Sequence, residues 1–188
     1  MPHPHSNHLL SPKADDVGRG YVHVYTGEGK GKTTAAFGLA LRAAGHGKRV
    51  YVGQFMKGRP SGEIAALRGH PLIVAEQLGD GAWQGRGRPA TAAAARAADG
   101  LVRVTAALTS AKNDLVVLDE LDVAVWSGLL SERQCLDLIA ARPPQVELVI
   151  TGRYAPAAVI ERADLVTEMR EVRHYYRRGV PARPGIEF

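Results

Sequence analysis

The chain has 188 residues, enough for one domain with a substantial core; 45% are hydrophobic, 23% are charged, and the formal net charge is +5. No apolar run approaches the roughly 18 residues of a membrane span, the start Met1-Pro2-His3-Pro4-His5 has neither the charged flank nor the apolar stretch of a secretory signal, and a single cysteine excludes an internal disulfide framework, so a cytoplasmic setting is expected. The basic balance comes from scattered arginines, not from Lys/Arg blocks with interleaved aromatics, which suits an anionic small molecule better than nucleic acid.

Residues 1–19 are polar, hold His3, His5 and His8, and read as a flexible tail, because no Cys or second His cluster completes a coordination set. Residues 20–188 read as one domain. Tyr21–Thr26 is the first expected strand. The run Thr26-Gly27-Glu28-Gly29-Lys30-Gly31-Lys32-Thr33-Thr34 follows it, and Lys32–Ala44 is the first helix, stopped at Gly45-His46-Gly47. A strand, a glycine-rich turn and a helix in that order make a phosphate-binding loop. The glycines let backbone N–H groups face an anion, Lys32 adds a point charge, the Thr33 hydroxyl can ligate Mg²⁺, and the helix points its positive end at the phosphates. The usual pattern, G-x-x-x-x-G-K-[ST], is met except at its first position, where Thr26 stands and Gly27 lies one residue late. Lys30 reads equally as a phosphate contact or a solvated charge. Thr34 reads as a helix cap or a phosphate contact, and Arg42 as a surface or ligand-facing residue.

Further along, Arg49–Phe55 is expected as a strand, Gly62–Arg68 as a short helix and Leu72–Glu76 as a third strand. Gln54 and Lys57 flank a strand end, where ligand contacts are expected. Gly79–Pro89 is a loop carrying Trp83, which suits stacking on a flat ligand or a small satellite core. Ala90–Ala111 is a long Ala-rich helix with an interruption expected near Gly100. Asp114–Asp119 is the most apolar strand, and its closing acids Asp119 and Glu120 are the candidate Mg²⁺ ligands beside Thr33; residue type does not choose between them. Trp126 is expected in the core. Ser131–Ala141 carries a capping box, Ser131 with Gln134, and Cys135 packs on Leu130 as a staple. Glu147–Thr151 is a strand, with Arg153 just past its end, where a guanidinium suits a triphosphate. Ala157–Ala163 is a helix, Leu165–Met169 a last strand, and residues 172–188 a tail. Strands alternating with helices predict an α/β domain with a mostly parallel sheet and helices on both faces.

These residues resemble a known family. Tyr25 to Ala36, then Arg42-Ala43-Ala44-Gly45-His46-Gly47, Gln54-Phe55-Met56-Lys57-Gly58, Val116-Val117-Leu118-Asp119-Glu120, Thr151-Gly152-Arg153 and the ending Gly179 to Phe188 are similar to the P-loop type corrinoid adenosyltransferases (cob(I)yrinic acid a,c-diamide adenosyltransferases). The resemblance spans roughly residues 19–188. It implies a RecA-like P-loop domain, a homodimer, a flavoprotein reductant as partner, and transfer of the 5′-deoxyadenosyl group of ATP to the Co(I) of a reduced corrinoid with release of triphosphate. By matching position, Gly27, Gly29, Lys30, Gly31, Lys32, Thr33 and Thr34 would hold the triphosphate, with Arg42 and Arg153 near ATP. Thr33, Asp119 and Glu120 would hold Mg²⁺, Trp83 would lie near the corrinoid, and Lys32, Thr33 and Glu120 would carry the catalytic load. The chain departs from the family pattern at Gly81-Ala82-Trp83 and at Gly85-Arg86-Gly87-Arg88-Pro89, on the corrinoid side. The motif alone also fits two other classes: a P-loop kinase or ATPase that releases ADP, and a non-catalytic ATP-responsive binding protein.

Overall fold

The apolar runs become the strands of one sheet, and the Ala- and Leu-rich runs become its covering helices. The computed structural model describes residues 18–58, 60–81, 85 and 91–188. In chain order the elements are β1 (Val22–Thr26), α1 (Lys32–Gly45), β2 (Val50–Gln54), α2 (Gly62–Leu67), β3 (Ile73–Gln77), α3 (Thr91–Thr109), β4 (Leu115–Asp119), α4 (Leu121–Trp126), α5 (Glu132–Ala141), β5 (Glu147–Thr151), α6 (Ala157–Arg162) and β6 (Leu165–Glu168). The expected tail of residues 1–19 falls outside the described residues up to 17.

All six strands are parallel, in the order β3-β2-β4-β5-β1-β6. Side chains alternate between faces along each strand, so the sheet separates two apolar layers. Val50, Val52, Leu115, Val117 and Val149 join Ala36, Phe37, Ala40 and Ala44 of α1 and Leu67 of α2 on one face. Tyr51, Val116, Leu118, Leu148 and Ile150 join residues of α3 to α6 on the other. Strands covered on both sides must be apolar throughout, which is why β4 reads Leu-Val-Val-Leu without a polar break. The architecture is the expected α/β domain, consistent with a RecA-like P-loop fold. Among the described residues, no helix is long and apolar enough to cross a membrane.

Two expectations fail for identifiable reasons. α3 runs unbroken through Gly100, which is buried because the helix lies close on the sheet; a Cβ there would stand 3.0 Å from Leu78 Cβ. Between β4 and α5 the chain also forms α4, whose six residues are too few to display a helical period. Trp126 at its end is half-buried and stacks on Tyr154 with ring centroids 4.5 Å apart, outside the main core. The capping box of α5 is present as expected. Gln134 N donates to Ser131 Oγ at 3.2 Å, and Ser131 N donates to Gln134 Oε1 at 2.8 Å. Cys135 and Leu130 are both buried in the same apolar cluster.

Candidate active site

The loop between β1 and α1 is shaped by close contact with the end of β6. Gly29 N donates to Met169 O at 2.6 Å, and Met169 N donates to Thr26 O at 2.8 Å. Gly27 has φ +96°, and a Cβ on it would lie 2.5 Å from Met169 O; at Gly29 the same atom would be 2.7 Å away. This explains the displaced glycine. Position 27 touches the neighbouring backbone, whereas Thr26 still belongs to the strand and takes a side chain. The N-cap of α1 is Gly31, with no side-chain cap bond, so the N–H groups of the first turn stay open to an anion. Thr34, in that turn, does not cap the helix; it faces the cavity with Thr33. Lys32 is only 6% exposed and folds back over the loop, donating to Gly27 O at 2.6 Å and Gly29 O at 2.7 Å. Burial lowers its pKa, opposed by the charge of Glu120.

The acidic strand end is organised by β5, which lies between β4 and β1. Asp119, fully buried, accepts from Thr33 Oγ1 at 3.0 Å, Gln54 Nε2 at 2.9 Å and Thr151 Oγ1 at 2.7 Å. Thr151 in turn accepts from Glu120 N at 3.1 Å, and Gln54 Oε1 accepts from Gln77 Nε2 at 3.0 Å. Gln54 therefore orients Asp119 and is not the ligand contact expected. Glu120 turns the opposite way. Its backbone is left-handed, φ 59° and ψ 23°, and its side chain lines the loop cavity. Burial raises its pKa, with the charge of Asp119 adding to the effect. Met56 and Tyr154, after the ends of β2 and β5, share positive φ values of 46° and 63°. Such strained positions gather where side chains must be aimed.

Lys32, Thr33, Thr34 and Glu120 line a cavity of about 440 Å³ that also includes Glu28, Lys57, Glu63, Arg153 and His174, with Asp119 buried behind Thr33. Arg153 Nη1 stands 3.7 Å from Glu28 Oε2, at the rim. The Thr33 hydroxyl and the Glu120 carboxylate put oxygen on the cavity wall, with Asp119 behind Thr33, as Mg²⁺ requires when phosphates and waters supply the rest. A carboxyl pushed up by burial beside a second acid suits a cation there, so the residues fit Mg²⁺.

Arg42 is not brought to this cavity. It lies on α1 ten residues beyond Lys32, about 15 Å along the axis, and lines a separate cavity with Arg19, His46 and Glu147. Trp83 lies outside the described residues. Residues 172–188, expected as a tail, are largely exposed; they hold a 3₁₀ turn, Tyr175–Arg178, and a C-terminal segment whose Ile186 and Glu187 line the loop cavity. Its Gly and Pro content hid this, because the contacts are with a loop 145 or more residues away. Thr151 had a weak signal, since parallel register sets it beside Asp119.

Asp122 on α4 is fully buried, and neither of its carboxyl oxygens has a hydrogen-bond partner among the described residues. Burial, with the charge of Glu120, raises its pKa from 3.8 to about 8. The folded state thus holds a proton that the unfolded chain releases near pH 4. Stability from this group is full below pH 4 and is lost as pH rises toward 8. Asp122→Asn is expected to come nearest the wild type below pH 4 and to gain on it steadily as pH rises to 8, by on the order of 1–2 kcal/mol or more. Urea unfolding at the two ends of this range measures this; equal differences at both would remove the assignment.

The family model of ATP:corrinoid adenosyltransferase BtuR/CobO/CobP matches residues 18–188. The chain is 43% identical over 174 residues to the corrinoid adenosyltransferase of Pseudomonas aeruginosa, covering 90% of this chain and 84% of that one. It is 40% identical over 171 residues to corrinoid adenosyltransferase CobA of Salmonella typhimurium, and 39% identical over 171 residues to the corrinoid adenosyltransferase of Escherichia coli K12; each match covers 90% of this chain and 86% of the relative.

Proposed function

The chain belongs to the ATP:corrinoid adenosyltransferase family BtuR/CobO/CobP, and from that premise we infer that the loop cavity is where it transfers the 5′-deoxyadenosyl group of ATP to the Co(I) of a corrinoid. Co(I) supplies the electron pair that attacks the 5′ carbon. The cobalt–carbon bond forms as the carbon–oxygen bond to triphosphate breaks, and triphosphate leaves. The substrate brings its own nucleophile, so the protein holds, orients and stabilises charge. Lys32, Thr33, Thr34 and the open amides of α1 receive the triphosphate. Gly27, Gly29 and Gly31 let the backbone come close to it, and Arg153 closes the rim.

Mg²⁺, held by Thr33 and Glu120, would neutralise charge on the leaving triphosphate. Asp119 contributes by orienting Thr33, since its oxygens already accept from three side chains. Trp83 meets the corrinoid, by position in the family pattern. The enzyme acts as a cytoplasmic homodimer supplied with electrons by a flavoprotein reductant, in keeping with the family resemblance and with the need to make Co(I). The observation that carries the reading is the convergence of Lys32, Thr33 and Glu120 on one cavity at the strand ends.

The direct test mixes the protein anaerobically with a Co(I) corrinoid, ATP and Mg²⁺. A light-sensitive adenosyl-corrinoid spectrum with triphosphate release is expected; ADP release without a spectral change would make it a kinase or ATPase instead. Glu120→Gln is expected to lower turnover on the order of 10²-fold and raise the Mg²⁺ needed for half-maximal rate, with metal-free ATP bound no more weakly. An unchanged Mg²⁺ requirement would move the metal to Asp119. Trp83→Ala should raise the corrinoid KM several-fold and leave ATP binding as it was; equal losses in both would dissociate Trp83 from the corrinoid.

A further inference from the structure

We propose that Lys30 is the anchor of the C-terminal strap and not a ligand of the triphosphate, and that Glu187 acts through it as a positioning residue for the ATP cavity. An ammonium group has three protons to donate. All three of Lys30's have partners on the strap: Glu187 Oε1 at 2.9 Å, Ile186 O at 2.9 Å and Tyr175 OH at 3.2 Å. None is left for phosphate in this arrangement. Lys32, two residues on, is the buried cation that the loop itself encloses.

The strap is built to receive Lys30. The Tyr175 hydroxyl also donates to Glu187 Oε1, Arg183 N donates to Glu187 Oε2 at 2.7 Å, and the Arg183 guanidinium lies 4.9 Å above the Tyr175 ring. Gly185 N donates to Phe188 O at 2.7 Å, folding the last residues into a turn. These bonds hold the Glu187 carboxyl well below its ordinary pKa, the Lys30 bond contributing most. The carboxylate lines the same cavity as Lys32 and Thr33, where an unpaired negative charge would repel triphosphate. Pairing with Lys30 neutralises it and turns the strap into a wall.

The inference rests on the cavity being the ATP site, and a double-mutant cycle tests it. ATP affinity is measured by calorimetry for the wild type, Lys30→Met, Glu187→Gln and the double variant. Trypsin cleavage after Arg177 and Arg178 of each reports whether the strap is docked. If Lys30 and Glu187 act as one unit, each single variant raises the Kd for ATP by about tenfold, the loss of one ionic hydrogen bond, and the double variant loses no more. Cleavage should rise equally in all three. An additive loss near a hundredfold, or a loss confined to Lys30→Met with cleavage unchanged, would return Lys30 to the phosphate and overturn the proposal. A wild type that binds no ATP would overturn the assignment of the cavity, a failure visible before any variant is compared.

Discussion

Lys32→Ala is expected to lose turnover by at least 10²–10³-fold, on the order of the loss when a preorganised electrostatic donor is removed from a site of charge development, and to keep its fold. The side chain sits over the loop with its ammonium on Gly27 O and Gly29 O. When triphosphate arrives, that charge lies where the leaving group becomes more negative. In the free protein it is a liability: burial lowers its pKa, so the folded state disfavours the charge. Removing it unpairs two loop carbonyls, Gly27 O and Gly29 O, beside the open cavity. Circular dichroism and the melting temperature should therefore be close to wild type while adenosyl transfer disappears. Near-normal turnover would sink the phosphate-loop reading. Unfolding would show instead that the lysine bridges the loop structurally.

Asp119→Asn is expected to damage both stability and activity, because asparagine brings donors to a point where three donors converge. Thr33, Gln54 and Thr151 all point at the carboxylate. An amide oxygen serves some of them, and the amide NH₂ meets the rest. Gln54 has no neutral escape: flipping its amide would set its NH₂ against Gln77 Nε2, which now donates to Gln54 Oε1 at 3.0 Å. Each buried donor left unmatched costs about 1–3 kcal/mol, and for a chain this long each kcal/mol lowers Tm by about 2–4 °C. A fall of about 4–24 °C follows if two are unmatched. Turnover should drop about 10–100-fold, as expected when a partner behind a metal-binding group is lost, because the Thr33 hydroxyl and the Glu120 turn lose their orientation. Unchanged Tm and turnover would mean that the network does not organise the site.

Different parts of this site were legible to different degrees. Lys32, Thr33 and the Asp119-Glu120 pair could be found because each sits at the end of an element whose type is written locally. One follows a strand and opens a helix; the other closes the most apolar strand. The choice between Asp119 and Glu120 was invisible, since it depends on which carboxyl faces inward. The left-handed turn at Glu120 sends its carboxyl to the cavity, and the bond that Glu120 N donates to Thr151 Oγ1 requires β5 beside β4. Arg42 shows the converse: a position that matches a motif lies about 15 Å along the helix from the loop, on a separate cavity.

The order and type of the elements, the parallel α/β plan and the phosphate loop were determined by the amino-acid sequence itself, because hydrophobic period, glycine stops and short motifs act over neighbouring residues. The tertiary structure alone decided the strand order that puts Thr151 between loop and acids, the contact of Met169 that forces Gly27 and Gly29, and the docking of Glu187 on Lys30. Thr151 lies about thirty positions beyond the acids, and the contacts of Met169 and Glu187 join residues more than a hundred positions apart. Their energies depend on burial and angle, which no local pattern of residues encodes.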